Sequence, residues 1–263
     1  MWVARSLARH WDLLWQMVAT DLRGRYVGSS LGVFWSVIHP LTMILIYTVV
    51  FSKVMGARLA DSSGSYGYGI YLCSALLPWS AFSEVVTRST TLFPDNANLV
   101  RKVAFPKVVL YGYVTVSSAI NLAFALTIFL GVAVLTGHEL HATLLLWIPF
   151  IGLQLFFGLG IGIVLSVVHV FVRDTAQLVA VLLQVLFWLT PIVYVEEILP
   201  AWLRPLEVVN PLYAFAVSHH ELVLKGTVPH LGRLVALVLL TAAWVLLGTV
   251  LYRRFRPDIL DEL

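Results

Sequence analysis

Charge is what this sequence has least of. Asp, Glu, Lys and Arg make up 12% of its 263 residues, while 60% are hydrophobic. A soluble domain carries about 25% charged residues, because its surface has to face water. Half that fraction leaves too little polar area to wrap a soluble fold of this length, which excludes a soluble enzyme or binding module. Cysteine is nearly absent as well. Cys73 stands alone, so no disulfide forms within the chain, and it reads as a small buried residue in an apolar segment. No GxxxxGK[ST] phosphate loop occurs; Lys225-Gly226-Thr227 lacks the upstream glycines. Zinc-ligand spacings and a nucleophile elbow are missing too. His219-His220-Glu221 are neighbours that point in different directions on a helix, so they are expected as a solvated pair at the membrane face rather than a metal site. By eye the chain has no internal repeat.

Long apolar blocks are what the sequence does have. A membrane span needs about 20 mostly apolar residues, since only a helix satisfies its own backbone across a hydrocarbon core. The blocks predict an all-α integral membrane fold of about six spans, in one transmembrane domain covering residues 1–263. Residues 1–29 open it. Trp11, Asp12, Gln16 and Asp21 interrupt the stretch where a signal peptide needs a continuous apolar core, so a signal peptide is not expected. Leu7, Trp11, Leu14, Trp15, Val18 and Leu22 instead recur at helical spacing, which predicts an amphipathic helix in the membrane interface.

The spans are expected at 31–55, kinked at His39-Pro40, then 70–91, 108–136, 144–172, 178–195 and 231–252. Glu84 and Arg88 stand at i,i+4 near the end of the second and are placed to pair. Between the second and third lies 93–106, a polar and basic segment bracketed by prolines, with the length of a short helix outside the bilayer. Between the fifth and sixth, 196–229 is too broken by Pro200, Pro205 and Pro211 to span and too apolar for a solvated loop. A re-entrant or interfacial helical pair is expected there.

Orientation follows from the basic residues. One side gathers Arg5, Arg9, Arg23, Arg25, Arg88, Arg101, Lys102, Lys107, Arg173, Arg253, Arg254 and Arg256; the other keeps Lys53, Arg58, Arg204, Lys225 and Arg233. The positive-inside rule then puts both termini and 93–106 in the cytoplasm and 196–229 outside. The same distribution argues against nucleic acid as the reason for the net charge of +3. Ionisable groups inside the spans are few, although ion-coupled carriers display them despite a cost of at least about 2.5–3.5 kcal/mol at mid-bilayer. His169, near the end of the fourth span, is the best candidate and is expected to be satisfied by its bundle neighbours. The chain has no evident energy source of its own, so transport against a gradient needs a partner to supply the work.

Several stretches are more specific. Asp21-Leu-Arg-Gly-Arg-Tyr-Val-Gly-Ser-Ser-Leu-Gly-Val-Phe-Trp-Ser-Val-Ile-His-Pro-Leu41 leads into the first span, and Asn98-Leu-Val-Arg-Lys-Val-Ala-Phe-Pro106 closes the polar segment. Arg173-Asp174 follows the fourth span, Thr190-Pro-Ile-Val-Tyr194 ends the fifth, and Asn210-Pro-Leu-Tyr213 comes after it. In this order, over most of the chain, these stretches resemble the permeases of type-2 ABC exporters, which export O-antigen, capsule or teichoic-acid polysaccharides. His39 departs from the family pattern, which has asparagine there more often.

The resemblance implies a homodimer in the bacterial inner membrane, seated on two separate ABC ATPase subunits that bind the ATP and Mg; no cofactor or metal is implied in this chain. It implies a coupling role for Asn98, Leu99, Arg101, Lys102, Phe105 and Pro106, where Arg101, Lys102 and Lys107 offer charge and Leu99, Val100, Val103 and Phe105 an apolar face. A membrane-surface loop held by anionic lipid is the competing reading of that segment. The implied substrate is a glycan on undecaprenyl pyrophosphate. Sugars rest their C–H faces on aromatic rings, so Phe34, Trp35, Tyr47, Phe51, Phe187, Trp188 and Tyr194 are candidate channel-lining residues, with an interfacial aromatic belt as the alternative. Arg23 and Arg25 are candidates for the lipid pyrophosphate, against ordinary headgroups. Gly158-Leu-Gly-Ile-Gly162 permits close helix approach and is expected to pack within the chain. A related permease for a smaller lipid-linked or drug-like substrate has the same architecture. A secondary carrier or membrane enzyme is disfavoured by the missing coupling and catalytic residues.

Overall fold

The computed structural model describes residues 10–25, 38, 42, 46, 67–102, 105–194 and 209–262; all its described elements are helical. In chain order they are α1 (Trp11–Gly24), α2 (Gly67–Thr90), α3 (Leu92–Asp95), α4 (Ala97–Lys102), α5 (Val108–Leu135), α6 (Leu144–Phe171), α7 (Thr175–Trp188), α8 (Pro211–His220) and α9 (Leu231–Glu262). Four of these, α2, α5, α6 and α9, are long and apolar enough to cross a membrane. The expected first span, 31–55, lies outside the described residues.

Long, mostly apolar runs set α5 and α6, whose ends fall within one residue of the expected limits. The fifth expected span differs. Its helix, α7, has 14 residues, about 21 Å at 1.5 Å per residue, short of a hydrocarbon core of roughly 30 Å. It stops because Pro191 has no N–H to continue the ladder, and Thr190 caps the last turn by donating its hydroxyl to the Leu186 carbonyl at 2.7 Å. The last helix runs on beyond Tyr252 through Arg253, Arg254 and Arg256.

Glycine decides how closely the long helices pack. A Cβ at Gly162 would lie 2.5 Å from the Ser89 Cβ, and one at Gly158 would lie 2.9 Å from the Phe82 ring, so α2 crosses α6 on that face. On another face Gly160 meets α9, its Cβ position 2.9 Å from the Val245 nitrogen, while Gly248 meets Ile163 at 2.9 Å. The Gly158–Gly162 run therefore serves packing within the chain. Around α6 the bundle becomes asymmetric. The α2 window is 78% buried, whereas that of α9 is 17% buried and presents Val235, Val238, Leu239, Leu246 and Val250 outward. On α1 the residues turned inward are Leu14 and Val18. Trp11 and Trp15 face outward, stacked on each other 6.1 Å apart.

Candidate coupling and translocation regions

At the basic end of the bundle, α2 passes directly into the short helices α3 and α4. Asn96 marks the break and donates its side-chain amide to the Leu92 carbonyl at 2.8 Å. Lys107 closes the far side by donating to the Val100 carbonyl at 3.0 Å, with its ammonium 4.4 Å from the Phe105 ring centre. Burial, and then nearby Arg256, lower the Lys107 pKa. Leu92, Phe93, Val100 and Phe105 are buried in one cluster with Leu14 of α1, Val109 and Tyr111 of α5, Ile163 of α6 and Ile259 of α9. Phe93 touches both Tyr111, edge-on at 6.0 Å, and Tyr252, stacked at 6.1 Å. Pro94, Asp95, Asn98 and Arg101 face outward. The segment thus shares one packed core with four helices.

Four charges tie α1 to the end of α2. Arg25 bonds Asp21 at 3.3 Å and also Glu84, while Arg88 bonds Glu84 at 3.2 Å and also Asp21. Positive and negative groups alternate around the square, each side chain 18–25% exposed. The expected Glu84–Arg88 pair is one edge of it.

The opposite end of the bundle brings two proline-centred motifs together. Asn210 caps α8 by accepting from the Leu212 N–H at 3.0 Å, and its amide donates to the Thr190 hydroxyl at 3.1 Å. Tyr71 of α2 donates to the Tyr194 carbonyl at 2.8 Å, and Tyr68 to that of Val193. So the 190–194 and 210–213 motifs are held by each other and by α2. Behind them His219 and His220 are buried, 1% and 5% exposed, not solvated as their polarity suggests. Trp147 donates its indole N–H to His219 Nδ1 at 2.7 Å, and His219 Nε2 lies 2.6 Å from Gln154 Oε1. His220 stacks on Tyr71, ring centres 3.8 Å apart. Rings run in contact from Phe187 through Trp79, Phe82, Phe157, Phe215 and Phe150 to His219. Between α8 and α9 opens a cavity of about 710 Å³, with Tyr213, Trp244, Asn210 and Arg233 in its wall.

A family model described as ABC-2 type transporter matches residues 12–218. The chain belongs to the ABC-2 type transporter family. Among curated relatives, an O-antigen export system permease protein RfbA of Klebsiella pneumoniae is 31% identical over 227 residues, 84% of each chain. One of the same name from Myxococcus xanthus is 26% identical over 263 residues, 99% of each. The polysialic acid transport protein KpsM of Escherichia coli is 22% identical over 239 residues, 89% of each.

Within this ABC-2 permease the sequence candidates fall into separate places. Asn98 and Arg101 are exposed and Leu99 and Pro106 half-buried, whereas Phe105 and Val100 fill the chain's own core rather than an outward apolar face. The Lys102 side chain, Val103, Phe34, Trp35, Tyr47 and Phe51 lie outside the described residues. Phe187 packs on Trp79, Trp188 is 60% exposed, and Tyr194 lends its carbonyl to Tyr71. Arg25 is engaged by two carboxylates while Arg23 is exposed. The sequence reading missed Asp21 as a partner for both Arg25 and Arg88, and it missed Gln154, a polar side chain midway along a span. The Gln154 signal was available: an amide there needs a buried partner.

Proposed function

We infer that this chain is the membrane subunit of an ATP-driven polysaccharide exporter of the bacterial inner membrane, working as a homodimer with two ATPase chains. ATP and Mg bind the ATPases, and this chain supplies the path. The observation that carries the coupling part is the segment 93–106. It presents Asn98 and Arg101 outward on a backbone whose buried residues are shared with α1, α5, α6 and α9. An ATPase pressing on that surface moves all four helices at once. The names of the relatives support polysaccharide as the cargo. A glycan on undecaprenyl pyrophosphate would enter from the cytoplasmic, basic end. Trp188 and Phe187 would lie along its way, and 196–229 would form a re-entrant outer rim.

Co-expression with the neighbouring ATPase, purified by a tag on this chain, tests the reading. The unaltered chain is expected to bring down a stoichiometric, ATP-hydrolysing complex, and Arg101→Glu with Lys102→Glu to lose the ATPase. Full co-purification of that double variant would sink docking at this surface.

A further inference from the structure

Beside α3 and α4 lies a second cavity, about 390 Å³, lined by Pro94, Ala97, His169, Val170, Arg173 and Glu262. His169 is 8% exposed, and its Nδ1 is buried with no hydrogen-bond partner among the described residues. Arg173 and Glu262 line the same space, yet neither forms an ion pair with a described residue. Two opposite charges and an unsatisfied ring nitrogen thus face one cavity without neutralising one another. At the same end of α6, Val168, Phe171 and Val172 are 40–53% exposed and apolar. A charged recess and an exposed apolar band at the same end of a span candidate have the layout of a membrane–water boundary.

We propose that this cavity binds the headgroup of a zwitterionic phospholipid bearing a primary ammonium. Arg173 takes the phosphate, His169 Nδ1 completes its hydrogen bonding, and Glu262 accepts from the ammonium. Guanidinium suits phosphate because it offers a planar fork of donors. An anionic lipid without an amine would meet Glu262 unfavourably. A quaternary ammonium would match its charge but donate no hydrogen bond. The cavity's volume falls in the range that holds small ligands.

The full chain, delipidated in detergent, is titrated by native mass spectrometry with phosphatidylethanolamine, phosphatidylcholine and phosphatidylglycerol. Retention of phosphatidylethanolamine at least about fivefold above either competitor is expected. Glu262→Gln should bring it level with phosphatidylcholine, and Arg173→Gln should weaken both by about tenfold. Both residues are exposed, so folding is spared. Equal retention of the three lipids by the unaltered chain overturns the proposal, as does an unchanged preference in Glu262→Gln. A further outcome also overturns it. If added ATPase expels the lipid and Arg173→Gln costs ATPase binding without touching lipid preference, the cavity is a socket for a protein side chain.

Discussion

Trp147 can only donate, so the His219 Nδ1 that faces it at 2.7 Å has to accept. The proton of a neutral ring then sits on Nε2, which donates to Gln154 Oε1 at 2.6 Å. A second proton on Nδ1 would set two donors against each other, so this triad specifies one tautomer. Gln154→Leu removes the acceptor and leaves a buried N–H unpaired, a loss of about 1–3 kcal/mol. His219→Phe keeps a ring against Phe150 but leaves both Trp147 and Gln154 without partners, so it is expected to cost more. Thermal melting of the purified variants checks the order; equal losses, or the reverse ranking, would contradict the triad. None of this was legible beforehand. Adjacent histidines in a proline-broken stretch look solvated, and their partners lie 72 and 65 positions away, a distance over which local patterns are silent.

Elements were easier to read than residues where one force dominates. For α5 and α6 a long, mostly apolar run bounded by polar or turn residues set both length and ends. At α7 the apolar run continued past the helix, and the turn at Pro191 overrode hydropathy. Close packing of α6 was foreseeable from its glycines, but which neighbour each one admits was not. That assignment makes a prediction. Gly162→Leu drives a side chain into Ser89 of α2 and Gly160→Leu drives one into the α9 backbone, so each should overpack by at least about 1–3 kcal/mol. Gly131→Leu, with nothing within 4 Å, should be tolerated. Monodisperse yield after detergent extraction separates the cases, and a Gly162→Leu chain that extracts normally would refute the packing. The charge square is tested by a cycle of Asp21→Asn and Arg88→Gln read by thermal melting. A coupling of about 1 kcal/mol is expected for groups this exposed; strict additivity would show that α1 is held by its apolar residues, Leu13, Leu14, Met17 and Val18 among them, and not by the ion pairs.

For the whole molecule, the uneven exposure of the helices matters most. α9 and α5 leave broad apolar faces uncovered by the described residues, which suits contact with lipid or a second copy. Trp188 stands outward at the end of the short α7, 60% exposed. Substituting it removes one edge-on ring contact with Phe187 at 5.4 Å and little else, so Trp188→Ala should leave protein level nearly unchanged. If the ring lies along the glycan's way, export measured as surface polysaccharide should fall several-fold. Undiminished export at equal protein level would assign the ring to the membrane face instead.

α2 is the least apolar of the four long helices and the one the others most enclose, and it is also translated before any of them. The ribosome therefore releases the keystone ahead of the arch. Until Gly158 and Gly162 of α6 emerge to receive it, α2 carries Glu84, Arg88, Ser74 and Pro78 into the membrane with much of its final wrapping still unsynthesised. Biogenesis of this chain accordingly depends on how long the insertion machinery shelters that segment, and a pause in synthesis between Thr90 and Phe171 is the interval in which quality control has most to seize.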